Sequence, residues 1–213
     1  MLPAIDHLVY AVPDLESGIE AIAGQLGVRA AHGGKHEGRG THNALLSLGG
    51  RAYLEIIAPD PEQPEPSGPR PFGLDDLHEP GLVAWAMAVR DIEARVAAAR
   101  DAGYDTGAVA AMSRRLPDGG ELRWRLTFRA EPDGRSRPGD GLVPFLIEWE
   151  SEPHPSATAP GGCGLVDLEA EHPRPAEVEG MLAALGVEMV VGDAARPALI
   201  ATIEGVRGTV VLS

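Results

Sequence analysis

IDHLVYAVPDLESGIEAIAGQLG, residues 5–27, is the stretch whose reading decides the fold. Its first eight residues are rich in apolar and β-branched side chains, and Pro13 stops them. Asp14 then stands where a helix N-cap belongs, because its carboxylate can accept from a free backbone N–H of the first turn. Leu15, Ile19, Ile22 and Leu26 recur at three- and four-residue steps and form one apolar stripe, and Gly27 supplies the stop. A weak strand near 28–32, NALLSL at 43–48 and AYLEIIA at 52–58 follow, with Gly49-Gly50-Arg51 as a hairpin connection between the last two. The order is β-α-β-β-β.

The pattern then recurs. PDPEQPEPSGPRPFGLDDLHEP at 59–80 holds seven prolines and reads as a connector, since proline removes ladder donors and restricts its neighbours. LVAWAMAV at 82–89 repeats 5–12, Asp91 repeats Asp14, and a helix with Ile92, Val96 and Ala99 ends at Gly103. Strands are expected near 107–112, at 122–128 (LRWRLTF) and at 145–150 (FLIEWE). A third, shorter copy starts with LVDLEA at 165–170 and continues through a helix bearing Val178, Met181, Leu182 and Leu185 to strands at 187–191, 198–203 and 208–212. The expected organisation is therefore α+β, with βαβββ modules at 1–58 and 81–150, a linker at 151–164 and a shorter third module at 165–213.

Composition narrows the partners. A chain of 213 residues with 44% hydrophobic content can bury a core. A formal charge of −14 opposes binding to polyanions, so no nucleic-acid partner is expected; through long-range steering it would favour a cationic ligand. The lone Cys163 cannot form an internal disulfide, and the N-terminus has neither a basic head nor a long apolar stretch, which points to the cytoplasm and away from membranes. The glycines at 33–40 and 161–164 lack the Lys-Ser/Thr ending of a phosphate loop, so no nucleotide cofactor is expected.

The runs IDHLVYAVPDLE, RGTHNALLSLG, AYLEIIAPDP, LRWRLTF and PFLIEWE resemble the glyoxalase-like branch of the vicinal oxygen chelate superfamily. That resemblance implies paired modules curling into a cleft around a small molecule, with a divalent metal (Fe, Mn, Zn or Ni) on the strands that open and close each module. By position it assigns His7, Glu55 and Glu148 as metal ligands, with Glu148 also the general base, while Ala84 occupies the fourth position; His42 is the candidate replacement. Isomerase, lyase and dioxygenase chemistry all fit the resemblance, as does a metal-free protein that sequesters a ligand.

Residue patterns leave alternatives beside these roles. Strict alternation puts His7 with Ile5, Val9 and Ala11 on one strand face and Asp6, Leu8 and Tyr10 on the other. Glu55 and Glu148 interrupt apolar runs and need compensation, from a metal or from an ion pair with Arg123 or Arg125. Arg125 is also a candidate for gripping an anionic group, and Asn43, at the mouth of the sheet after a loop able to act as a lid, for orienting a ligand. Trp85 is either packing or pocket wall, and His154 either covers the pocket or belongs to a surface turn. His32 and His36 read as solvated. A homodimer is expected, with the third module turned toward a second chain.

Overall fold

A computed structural model describes residues 4–115, 120–129 and 137–213. Residues 1–3, 116–119 and 130–136 lie outside the described residues. In chain order the elements are β1 (Ile5–Ala11), α1 (Leu15–Leu26), β2 (Ala31–His36), β3 (Thr41–Ser47), β4 (Tyr53–Pro59), β5 (Gly81–Ala88), α2 (Ile92–Asp101), β6 (Ala108–Arg115), β7 (Glu121–Phe128) and β8 (Phe145–Trp149). They continue with α3 (Pro155–Thr158), β9 (Gly164–His172), α4 (Pro175–Ala184), β10 (Val191–Asp193), β11 (Ala198–Gly205) and β12 (Gly208–Leu212).

Local chemistry sets the helix ends. The Asp14 carboxylate accepts from the Ser17 backbone N–H at 2.9 Å, and Asp91 does the same for Ala94 at 3.0 Å. Gly27 closes α1 with φ +80°, a conformation open to glycine without steric cost.

The first eight strands form one sheet in the order β2-β3-β4-β1-β5-β8-β7-β6. Each half places its opening strand parallel to its closing strand, β1 on β4 and β5 on β8, and the halves join where β1 runs antiparallel to β5. β2 and β6, at the two ends of the order, approach each other, so the sheet curls and gains a concave and a convex face. The expected repeated-module α+β architecture is present.

Two expectations need correction. The segment read as a weak strand and a lid is a true strand, β2, running to His36; pairing with β3 creates it, although its sequence AHGGKH carries little strand propensity. The third unit repeats the β-α-β-β-β element order but not the pairing. In its sheet, β10-β9-β11-β12, the opening strand lies between a parallel β10 and an antiparallel β11.

One side of that unit packs onto the first two modules within the chain. Leu168, Leu182, Leu199 and Ile203 join Leu8, Ile19, Leu54, Trp85 and Leu146 in one buried cluster, and the Arg207 guanidinium donates to the Gly24 carbonyl at 2.7 Å. The convex face of the large sheet is thus sealed by α1, α2 and the third unit. The concave face is left for a ligand. Among the described residues no helix is long and apolar enough to cross a membrane.

Candidate active site

The concave face encloses a cavity of about 160 Å³. Alternation decides which side chains reach it: Thr41, Asn43 and Leu45 from β3, Tyr53, Glu55 and Ile57 from β4, whereas Leu46, Leu54 and Ile56 point into the convex core. The same rule brings Ala84 from β5, Met112 and Arg114 from β6, Trp124 and Leu126 from β7, and Phe145, Ile147 and Trp149 from β8.

His7 is buried in this cleft and stacks on Tyr53, its partner across the β1–β4 pairing, with ring centroids 4.7 Å apart. Its Nδ1 lies 2.8 Å from Asp6 Oδ1, and its Nε2 faces Glu55 Oε2 at 3.7 Å. A register shift between Ile5 and His7 makes this possible. Strict alternation fails there: Ile5 drops into the convex core with Leu8, and the Asp6 carboxylate comes alongside His7.

Asp6 binds three rings at once. Its Oδ2 accepts from Trp149 Nε1 at 3.0 Å and from His154 Nε2 at 3.1 Å, while Oδ1 takes His7. Burial alone would raise its pKa; hydrogen bonds from His154 and His7 outweigh that and hold it at about 2. Since an ionised Asp6 has no proton to give, the proton in each contact belongs to the imidazole. Neutral His7 therefore carries its hydrogen on Nδ1 and turns an unprotonated Nε2 toward the cavity. The complementary tautomer of His154 is fixed at its other nitrogen, since Nδ1 accepts from the Ser156 N–H at 3.2 Å.

Glu55 is held from the other side. Asn43 Nδ2 donates to its Oε1 at 2.6 Å and also to His36 Nε2 at 3.3 Å, and Asn43 Oδ1 accepts from Arg114 Nη1 at 3.3 Å. His36 sits 3.7 Å from Glu55 through Nε2 and donates through Nδ1 to Thr41 Oγ1 at 2.9 Å. Burial lowers the His36 pKa, against the pull of Glu55. His36 is thus part of the pocket wall, not a solvated side chain.

Of the residues singled out from sequence, His7, Glu55 and Asn43 come together, with His154 immediately behind them through Asp6. The other four lie elsewhere. Glu148 is on the opposite face of β8 from Ile147 and Trp149, where it pairs with Arg125, which also binds Glu93. The ion-pair alternative thus describes Glu148 and Arg125. His42 falls on the outer face of β3 with its Nδ1 3.9 Å from Asp60. Trp85 is fully buried in the convex core and donates to the Leu142 carbonyl at 2.8 Å.

This arrangement does not fit the metal that the resemblance implied. On the second module's opening and closing strands the cleft-facing residues are Ala84, Phe145, Ile147 and Trp149, none of them a metal ligand. The Nε2 lone pair of His36 is engaged by Asn43, and Arg114 places a positive charge beside the same amide. Among the described residues no group of three His, Cys, Asp or Glu is arranged to hold a metal ion.

A family model described as a glyoxalase-like domain matches residues 5–186. The chain belongs to the glyoxalase-like domain family. Among solved structures, this family member is similar to a hypothetical protein from Staphylococcus aureus at 15% identity and TM-score 0.68, covering 92% of this chain and 90% of that one, a likeness of fold. Methylmalonyl-CoA epimerases from Mycobacterium tuberculosis (23% identity, TM-score 0.43, 73% of this chain and 92% of that one) and Streptomyces coelicolor (24%, TM-score 0.45, 71% and 100%) also match. No curated protein matches the sequence.

Five residues of the cluster escaped the sequence reading: Asp6, His36, Tyr53, Arg114 and Trp149. The signal for Tyr53 was present, since it is two residues before Glu55 on one strand and therefore shares its face. Asp6 was hidden by the register shift, and Arg114 by lying at the far edge of the sheet order.

Proposed function

We propose that this protein is an enzyme that moves a proton on a small carbonyl-containing molecule held in the concave cleft. The observation that carries the proposal is the convergence of an imidazole and a carboxylate inside one cavity. His7 Nε2, the nitrogen that the neutral ring leaves without a hydrogen, faces the Glu55 carboxylate at 3.7 Å, and each group is fixed by its own buried partner, Asp6 and Asn43.

In this reading His7 takes the proton from a carbon next to the carbonyl. Asp6 and Glu55 flank the ring and compensate the charge it acquires, while Asp6 keeps its orientation through the step. Returning the proton to the same or a neighbouring carbon gives epimerisation or isomerisation. Apolar walls from Trp124, Leu126, Phe145 and Ile147 exclude water from the reacting centre. A cytoplasmic setting accords with the free thiol of Cys163.

The test is solvent deuterium incorporation, followed by mass spectrometry, into a panel of carbonyl compounds with an acidic C–H. Exchange above the buffer rate is expected for at least one compound, and His7→Asn is expected to lower it at least a hundredfold. Equal exchange by both proteins would contradict the proposal. The largely apolar lining favours a second reading, a binding protein that sequesters its ligand; tight binding with no exchange would select it.

A further inference from the structure

Resting on the cleft being a ligand site, we infer that Arg114 is the anchor for a carboxylate on the incoming molecule, so that the ligand class is an organic acid with an apolar body. Arg114 projects from β6 on the face shared with Ala110 and Met112 and crosses the cleft to the first module. The first module is cut away to receive it. A Cβ on Gly33 would meet Asn43 Oδ1 at 2.3 Å and Arg114 Nη1 at 2.8 Å, and one on Gly34 would meet Arg114 Cδ at 2.9 Å.

The guanidinium that occupies this gap is short of partners. It has five N–H donors, and among the described residues its one hydrogen bond is the 3.3 Å contact with Asn43 Oδ1. No carboxylate among the described residues lies within 4.0 Å of it. Other arginines of the chain are served differently: Arg70 binds Asp75, Glu65 and the Gly40 carbonyl, and Arg125 binds Glu93 and Glu148. Burial also pushes the Arg114 pKa down, the cost that goes with withdrawing a cation from water. A carboxylate accepting two parallel N–H bonds would satisfy the free edge of the fork.

The charge around the cleft points the same way. Arg39, Arg129 and Arg137 line the cavity with Arg114, and Glu55 is the one carboxylate among the described lining residues, although the whole chain carries −14. Among the described lining residues arginine thus outnumbers carboxylate, which favours an anionic group over the cationic ligand expected from composition. Met112, Trp124, Leu126 and Phe145 are placed to pack the rest of the molecule.

Isothermal calorimetry on the full chain tests this with 3-phenylpropanoate and its neutral counterpart 3-phenylpropanamide. The wild type is expected to bind the acid at least tenfold more tightly than the amide. Arg114→Met should bring the ratio near one, and Arg114→Lys, which keeps the charge and not the fork, should leave it in between and serves if the Met variant does not fold. Equal affinity for acid and amide in the wild type, an acid preference kept in Arg114→Met, or no saturable binding of the acid would each overturn the assignment. His7→Asn is expected to keep the acid preference. Loss of exchange with that preference intact is the outcome expected of the proton-transfer role; exchange without any acid preference would strike the carboxylate anchor alone.

Discussion

Replacing Asp6 with Asn removes one negative charge from a position 1% exposed to solvent and leaves the side-chain volume almost unchanged, so its effect is electrostatic. Asp6 titrates at about 2 in the fold against an ordinary 3.8, a gap that corresponds to about 2 kcal/mol of stability at neutral pH. The amide must also turn its NH2 group toward a donor, either His7 or the His154–Trp149 pair, which adds about 1–3 kcal/mol for an unsatisfied buried group. Asp6→Asn is therefore expected to lose about 3–5 kcal/mol in urea unfolding at pH 7.5. Because the folded pKa is depressed, the wild-type advantage is fully present above the unfolded value of 3.8 and is lost as pH falls through about 2. The stability difference between the two proteins should accordingly shrink by about 2 kcal/mol on acidification below the unfolded value, as Asp6 takes up its proton. A variant within about 0.5 kcal/mol of wild type at pH 7.5, or a difference that ignores pH down to its folded pKa, would refute the reasoning.

Two further outcomes follow from the same geometry. Gly33→Ala forces its methyl group into the space of Asn43 and Arg114; calorimetry should show at least a fivefold loss of the acid-over-amide preference, with a stability cost of about 1–2 kcal/mol by urea unfolding. Glu148→Gln alters an ion pair on the convex side of β8, so the deuterium-exchange rate should stay within twofold of wild type; a hundredfold loss would return Glu148 to the chemistry.

The architecture was readable because its signals are local. Asp14 and Asp91 cap helices at equivalent places, the 3.6-residue stripe of α1 is clean, and glycine marks where it stops. The site was harder, since much of the large sheet is buried on both faces and its strands are nearly continuous apolar runs that conceal which residues share a side. FLIEW in β8 shows this: Phe145, Ile147 and Trp149 on one face and Leu146 on the other are all apolar, so nothing in the run fixed the direction of Glu148. In β4, Glu55 could be placed with Tyr53 and Ile57 once the inner face was known. The partners came from long-range features, namely the irregular pairing that brings Asp6 beside His7 and the curl of the sheet that carries Arg114 to Asn43.

The state of the His7 ring decides whether His7 presents a free nitrogen to the cleft, and nitrogen-15 NMR of the histidine-labelled protein reads it directly, with His7→Asn identifying the signals. In the neutral ring the His7 resonances should show a protonated Nδ1 and an unprotonated Nε2, a pattern that Asp6→Asn disturbs. A hydrogen on Nε2 in the neutral ring, or rapid averaging of the two tautomers, would contradict the proposed base.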